Sequence, residues 1–281
     1  MKNGLSIDLE DYFHATIFSK KINRAEWDNY PSRVEANTYK ILDILSSNKT
    51  KATFFVLGWI ARRFPSLIKA IANEGHEIAL HGYNHQLVRE QTPAQFLEDL
   101  TRAKAVTEDI TGTEIAGYRA PSFSIYKSTS WALEIIRSLG FKYDSSIFPV
   151  GIASYKNIPM KPFEIIPGLF ELPLPVIKCA GIGIPFGGGI FLRVFPYSFN
   201  RWAISYFNKK ENAPAIIYLH PWELDPEQPR FHSLTLANQI RHYINLDKCK
   251  TRFKRLIKNH SFCTLSSIYK NSKSNTNILP L

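Results

Sequence analysis

Three scarcities narrow the chemistry this chain can perform. It has 3 cysteines, at positions 179, 249 and 263, with no CxxC spacing among them. That excludes a disulfide framework and a thiolate zinc cluster. Its longest uncharged run, CAGIGIPFGGGIFL at 179–192, is too short and too interrupted by Gly and Pro to span a bilayer. The glycines within it, Gly187 to Gly189, do not follow the strand-to-helix pattern of a phosphate loop. A flexible lid is expected there in place of a nucleotide cradle. No nucleic-acid motif accompanies the net charge of +11, so no nucleic-acid partner is expected. The charge suits anionic partners in general and is compatible with peripheral membrane contact. The first strand begins within five residues of Met1, which leaves no charged-then-apolar leader, and a cytoplasmic location is the expectation.

The chain does have a regular alternation of apolar strands and amphipathic helices. LSIDLE is followed by a helix over VEANTYKILDILSS (34–47), the strand ATFFVL (52–57), a helix over 65–75 closed by Gly75, and the strand HEIALH (76–81). Thr92 and Pro93 then read as the N-cap and first residue of a helix reaching Thr111. Further strands are expected around IAGYR, FKYD, FEIIPGLFELPL and PAIIYLH. This βα rhythm predicts an α/β fold with a mostly parallel sheet, open or closed into a barrel. One catalytic domain is expected over 1–271, with an elaborated insertion at 151–195 and a flexible tail at 272–281. In parallel α/β folds the chemistry gathers at the carboxyl ends of strands.

The acidic trio Asp8, Glu10 and Asp11 stands at such an end. In a strand Asp8 and Glu10 share a face and Asp11 opposes them. Two carboxylates side by side repel unless a cation lies between them. His81 and His85, in HGYNH, have the i, i+4 spacing that puts two imidazoles on one side of a helical turn. Two His and one carboxylate with open positions form a catalytic pattern for Zn2+ and other divalent metals. Amide hydrolysis at such a site also needs a base, an oxyanion donor and an acid for the departing amine. His220, in YLHPWE, is placed to be that acid.

LSIDLEDYFH, ATFFVLGWIARRFP, GHEIALHGYNH, GYRAPSFSI, YDSSIFP and YLHPWELDP occur in an order that resembles the polysaccharide deacetylase family. This is the chitooligosaccharide-deacetylase-like homology domain of carbohydrate esterase family four, and the likeness is to its branch found with bacterial exopolysaccharide loci. The resemblance implies a distorted (β/α) barrel of about seven parallel strands and one divalent metal, expected to be Zn2+. It implies Asp8 as base, Glu10, His81 and His85 as metal ligands, and Arg119 as the residue holding Asp8, with Asp11 as the alternative ligand. The backbone N–H of Ser122 matches the oxyanion donor. Asp144 matches the aspartate that pairs with the acid histidine and would keep His220 protonated. The chain departs from the family pattern in spacing its acidic pair as Asp8 and Glu10, in Gly82 after the first histidine, in Phe148 near the place of a tryptophan, and in Tyr218 where a leucine lines the acetyl pocket. Trp222 reads either as a sugar-stacking surface or as core. The expected activity is removal of N-acetyl groups from amino sugars of a polysaccharide or its lipid- or nucleotide-linked precursor. Two alternatives stay open: a small-molecule C–N amidohydrolase, or a glycan-binding subunit without catalysis.

Overall fold

The alternation resolves into one curled, open sheet in a computed structural model that describes residues 1–150, 155, 158–179, 182–231 and 233–272. The strands are β1 (Asn3–Leu9), β2 (Thr53–Val56), β3 (Glu77–Leu80), β4 (Gly117–Tyr118), β5 (Tyr143–Asp144), β6 (Phe163–Ile166), β7 (Leu169–Glu171), β8 (Val176–Cys179), β9 (Ile182–Pro185), β10 (Ile216–Leu219) and β11 (Phe262–Cys263). Their order is β10-β1-β2-β3-β4-β5-β7-β6, with β11 also pairing β1 and β8–β9 forming a separate hairpin. From β10 to β7 all pairings are parallel, so seven parallel strands follow one another, and only β6 turns back. Strands β1 and β2 are fully buried; β2 (TFFV) is nearly all apolar, whereas β1 alternates Leu5, Ile7 and Leu9 with the buried polar residues Ser6 and Asp8.

Several helices begin and end where their sequence signals lie. The helices Val34–Ser47 and Pro93–Thr111 match the expected spans. Thr92 caps the second of these through Gln95 N while the Gln95 side chain returns the bond to Thr92 N, and Gly112 closes it at φ +65. The region 151–195 differs from the expected insertion, because it supplies β6 and β7 to the main sheet and the β8–β9 hairpin. Gly187 to Gly189 form no lid among the described residues. They are buried against Tyr218, which pairs with Gly188 and accepts a backbone bond from Gly189 N at 3.1 Å. A Cβ at Gly188 would lie 2.2 Å from the Tyr218 ring, so glycine is needed for the close approach. Residues 273–281 of the expected tail lie outside the described residues.

Asp11 ties the end of β1 to the helix Val34–Ser47. Its carboxylate accepts from Tyr12 N at 2.9 Å, Ser32 Oγ at 2.6 Å, Arg33 N at 2.8 Å and Val34 N at 3.1 Å. With all these bonds committed, it does not join the donor cluster formed by Glu10. Asp11→Ala would strand amide donors at a buried helix start. We expect it to cost about 2–4 kcal/mol in denaturant-induced unfolding, while leaving metal content at the wild-type level.

Candidate active site

Strand ends deliver the site residues. Asp8 is the penultimate residue of β1, with Glu10 just beyond it; His81 follows β3, Arg119 follows β4 and His220 follows β10. Glu10 Oε1 stands 3.1 Å from His81 Nε2 and 3.0 Å from His85 Nε2, and all three side chains are buried. His81 Nδ1 is 2.8 Å from the Arg119 carbonyl, to which it must donate. With Nδ1 turned to that carbonyl, Nε2 is the ring nitrogen aimed at Glu10 Oε1, where it hydrogen-bonds the carboxylate as imidazolium or offers a lone pair to a cation. The N, N, O donor set, oriented from behind by the Arg119 carbonyl, fits a divalent metal of the zinc type. Burial alone would raise the Glu10 pKa. The neighbouring His85 and His220, with hydrogen bonds from His81 and His85, outweigh it and hold the carboxyl well below its usual range.

HGYNH is not the helical turn that its spacing suggested. It is a loop bent through left-handed Gly82 (φ +78) and His85 (φ +50), and this bend carries the second imidazole round to face the first. Asp99, from the helix Pro93–Thr111, holds the bend by accepting from Tyr83 N at 2.7 Å and Asn84 N at 3.3 Å. A Cβ at Gly82 would stand 3.0 Å from Asp99 Oδ2. The polar support lost at position 82 is thus supplied from another element, which no local motif reveals.

Arg119 has no solvent exposure, and Asp8 only 2%. Arg119 NH1 donates to Asp8 Oδ1 at 2.7 Å and Ser6 Oγ at 2.8 Å, Nε to the Ser145 carbonyl and NH2 to Ser145 Oγ. Asp8 Oδ2 lies 3.9 Å from His220 Nε2, which is also 3.7 Å from Glu10 Oε1. Ser122 sits on the turn after Arg119 at φ +51, its hydroxyl bonded to Thr16.

Asp144 does not pair with His220. It is fully buried, bonds Ser146 and the carboxyl of Glu171, and burial raises its pKa to about 6. The partner of His220 Nδ1 is Glu223 Oε2 at 3.0 Å, three residues along the same turn. Glu223 in turn accepts from buried Arg193 Nε at 2.6 Å. Burial opposes ionisation of both, but Arg193 and His220 hold Glu223 down at about 2. Glu10, Glu223 and Asp8 together raise His220 to about 9 against its own burial. The sequence signal for Glu223 was present in HPWE, where a carboxylate three residues after a histidine can return to it.

Trp222 is core. One face stacks on His220 (centroids 5.1 Å, 22° between planes) and the other on His242 (4.4 Å, 18°), so neither is open to a sugar. Tyr218 is buried beside the site, edge-on to His220 and to Phe123. A cleft of about 360 Å3 opens alongside His85, lined by Phe13, His14, Trp27 and Leu87 together with Lys20, Lys21, Arg24 and Glu26. His14 accepts from Asp11 N through Nδ1 at 2.8 Å and serves to pin the turn after Glu10.

Glu10, His81 and His85 thus form a buried carboxylate–histidine group that could hold a metal ion, at the strand ends of a curled parallel α/β sheet. Residues 19–143 match the polysaccharide deacetylase family, and residues 145–270 match a domain of unknown function designated DUF3473. The polysaccharide deacetylase match thus extends over somewhat less than half of the chain. The chain is 34% identical over 131 residues to a peptidoglycan-N-acetylglucosamine deacetylase of Bacillus cereus, covering 45% of this chain and 46% of that protein. It is 30% identical over 105 residues to a peptidoglycan-N-acetylmuramic acid deacetylase of Bacillus subtilis, covering 37% and 39%. The chain thus spans less than half the length of these relatives. A crystal structure assigned as a polysaccharide deacetylase from Mycobacterium smegmatis shares the fold at TM-score 0.62 and 20% identity, covering 100% of this chain and 94% of that one.

Glu223→Gln tests the His220 partner. An acid histidine works in its protonated form, so the rate falls as pH rises through its pKa. Removing the carboxylate lowers that pKa, and the alkaline limb of the rate profile should move to lower pH by about one unit, with kcat down about 10- to 100-fold.

Proposed function

We propose that the chain is a metal-dependent N-deacetylase of acetylated amino-sugar glycans or their carrier-linked precursors. The observation that carries this reading is the meeting of Glu10, His81 and His85 within 4.8 Å of one another, beside Asp8 and His220. A divalent metal, with Zn2+ favoured by the two imidazoles and one carboxylate, would supply Lewis acidity toward water and the acetamide carbonyl. Asp8, clamped at Oδ1 by Arg119, takes the proton of the attacking water at Oδ2. The Ser122 N–H donates to the oxygen of the tetrahedral intermediate. His220, held as imidazolium by Glu223, gives its proton to the departing amine nitrogen, because an amide anion leaves poorly. Acetate and a free amino sugar result. Relatives named as peptidoglycan N-acetylglucosamine and N-acetylmuramic acid deacetylases support the substrate class.

Metal content and acetate release from N-acetylglucosamine oligomers test the assignment together. Wild type should bind about one zinc per chain after reconstitution. Glu10→Ala should lose most of the metal and all turnover. Asp8→Asn should keep the metal while kcat falls by about 10³-fold or more. A wild type that takes up no divalent metal would overturn the hydrolase reading in favour of glycan binding without catalysis.

A further inference from the structure

Between Glu171 and Glu211 the chain contains no Asp or Glu, yet it carries Lys178, Arg193, Arg201, Lys209 and Lys210 and eight aromatic residues. Arg193 is consumed by Glu223, and the other four cations are exposed. The helix Tyr197–Glu211 buries Tyr197, Asn200, Ala203, Ile204 and Phe207 against the core. Away from the core the helix exposes Trp202 with Lys209 and Lys210 on the same side and Arg201 on the other flank, while Phe199 and Tyr206 beside Trp202 are half-buried against the core. Trp202 is 50% exposed and nearby Val194 44%. The rings form an unbroken series. Phe191, Phe195, Phe199, Trp202 and Tyr206 follow one another at centroid separations of 6.2, 4.5, 5.6 and 5.1 Å. Inward, the series continues from Phe191 through Phe148, Phe123 and Tyr218 to His220 at 6.3, 5.7, 5.1 and 5.8 Å.

We infer that this face seats on an anionic lipid bilayer. Aromatic rings with a polar edge settle at the headgroup level, and Lys and Arg stems reach from the same face to lipid phosphates. The exposed positions of this helix provide serines, one ring and cations, with no carboxylate to repel anionic headgroups. A second copy packed on the same face would set like charges against each other.

Co-sedimentation of the full chain with vesicles of phosphatidylcholine, with and without phosphatidylglycerol, reads the binding without any turnover. Wild type should partition to the anionic vesicles, and high salt should release it. The double substitution Lys209→Glu/Lys210→Glu, and separately Trp202→Ser, should each weaken binding about tenfold, with acetate release from soluble oligomers unchanged. Equal or absent partitioning on both vesicle types, or undiminished binding by both variants, overturns the inference. So does loss of soluble turnover in Trp202→Ser with vesicle binding intact, which would make the face a glycan platform. A wild-type dimer that Trp202→Ser dissociates, with no vesicle binding, would assign the face to self-association and overturn it equally.

Discussion

The buried ion pair between Arg119 and Asp8 is the constraint around which the site is built. A guanidinium with no solvent exposure survives only when its donors are met, and here Asp8, Ser6 and Ser145 meet them while Phe55 covers its face at 4.2 Å. These partners come from β1, from β2 and from the residue after β5, so one side chain at the end of β4 ties together strands on both sides of it in the sheet. Losing either charge would leave the other buried and uncompensated, at about 3–5 kcal/mol. The same pair directs one Asp8 oxygen at Arg119 and leaves the other toward His220, which lets a single carboxylate be both clamped and available.

A second buried charge chain, from Arg193 through Glu223 to His220, does for the proposed acid what Arg119 does for the proposed base. Both ends of Glu223 are occupied by cations, so it remains ionised although enclosed. Its folded pKa lies below the ordinary carboxylate value. The stability it contributes is therefore complete above that ordinary value and fades as pH falls toward 2. Asp144 has the opposite surroundings. It faces Glu171 with no cation bonded to either carboxyl, and burial raises both pKa values, so this pair holds a proton where Glu223 holds a charge.

That contrast explains what could and could not be read from the residues alone. The bounds of the helix Pro93–Thr111 were legible because its Thr92 cap, Pro93 and Gly112 act within a turn, whereas the start at Val34 is held by distant Asp11. Asp8, Glu10, His81, His85, Arg119 and His220 were legible as a set because strand ends in a parallel sheet converge. The assignment of Asp144 as the partner of His220 failed because two carboxylates compete for one histidine, and distance alone decides between them. Asp99 was invisible because its bonds to the HGYNH loop span 15 and 16 residues and belong to no local pattern. Trp222 required knowledge of His242, which stacks on it from a helix twenty residues later.

The strand order has a consequence for inheritance. The region matching the deacetylase family ends at residue 143, but β1 lies between β2 from one side of that boundary and β10 from the other. Asp8, Glu10, His81, His85 and Arg119 come from before the boundary, and His220, Glu223 and Arg193 from after it. Cut at the boundary, the first part would present β1 as an edge strand with one row of amides unpaired, a template for aggregation. It would also lack His220, the proton donor proposed for the leaving group. Recombination that exchanged either half alone would meet both penalties at once, so the two regions are physically bound to travel as one unit.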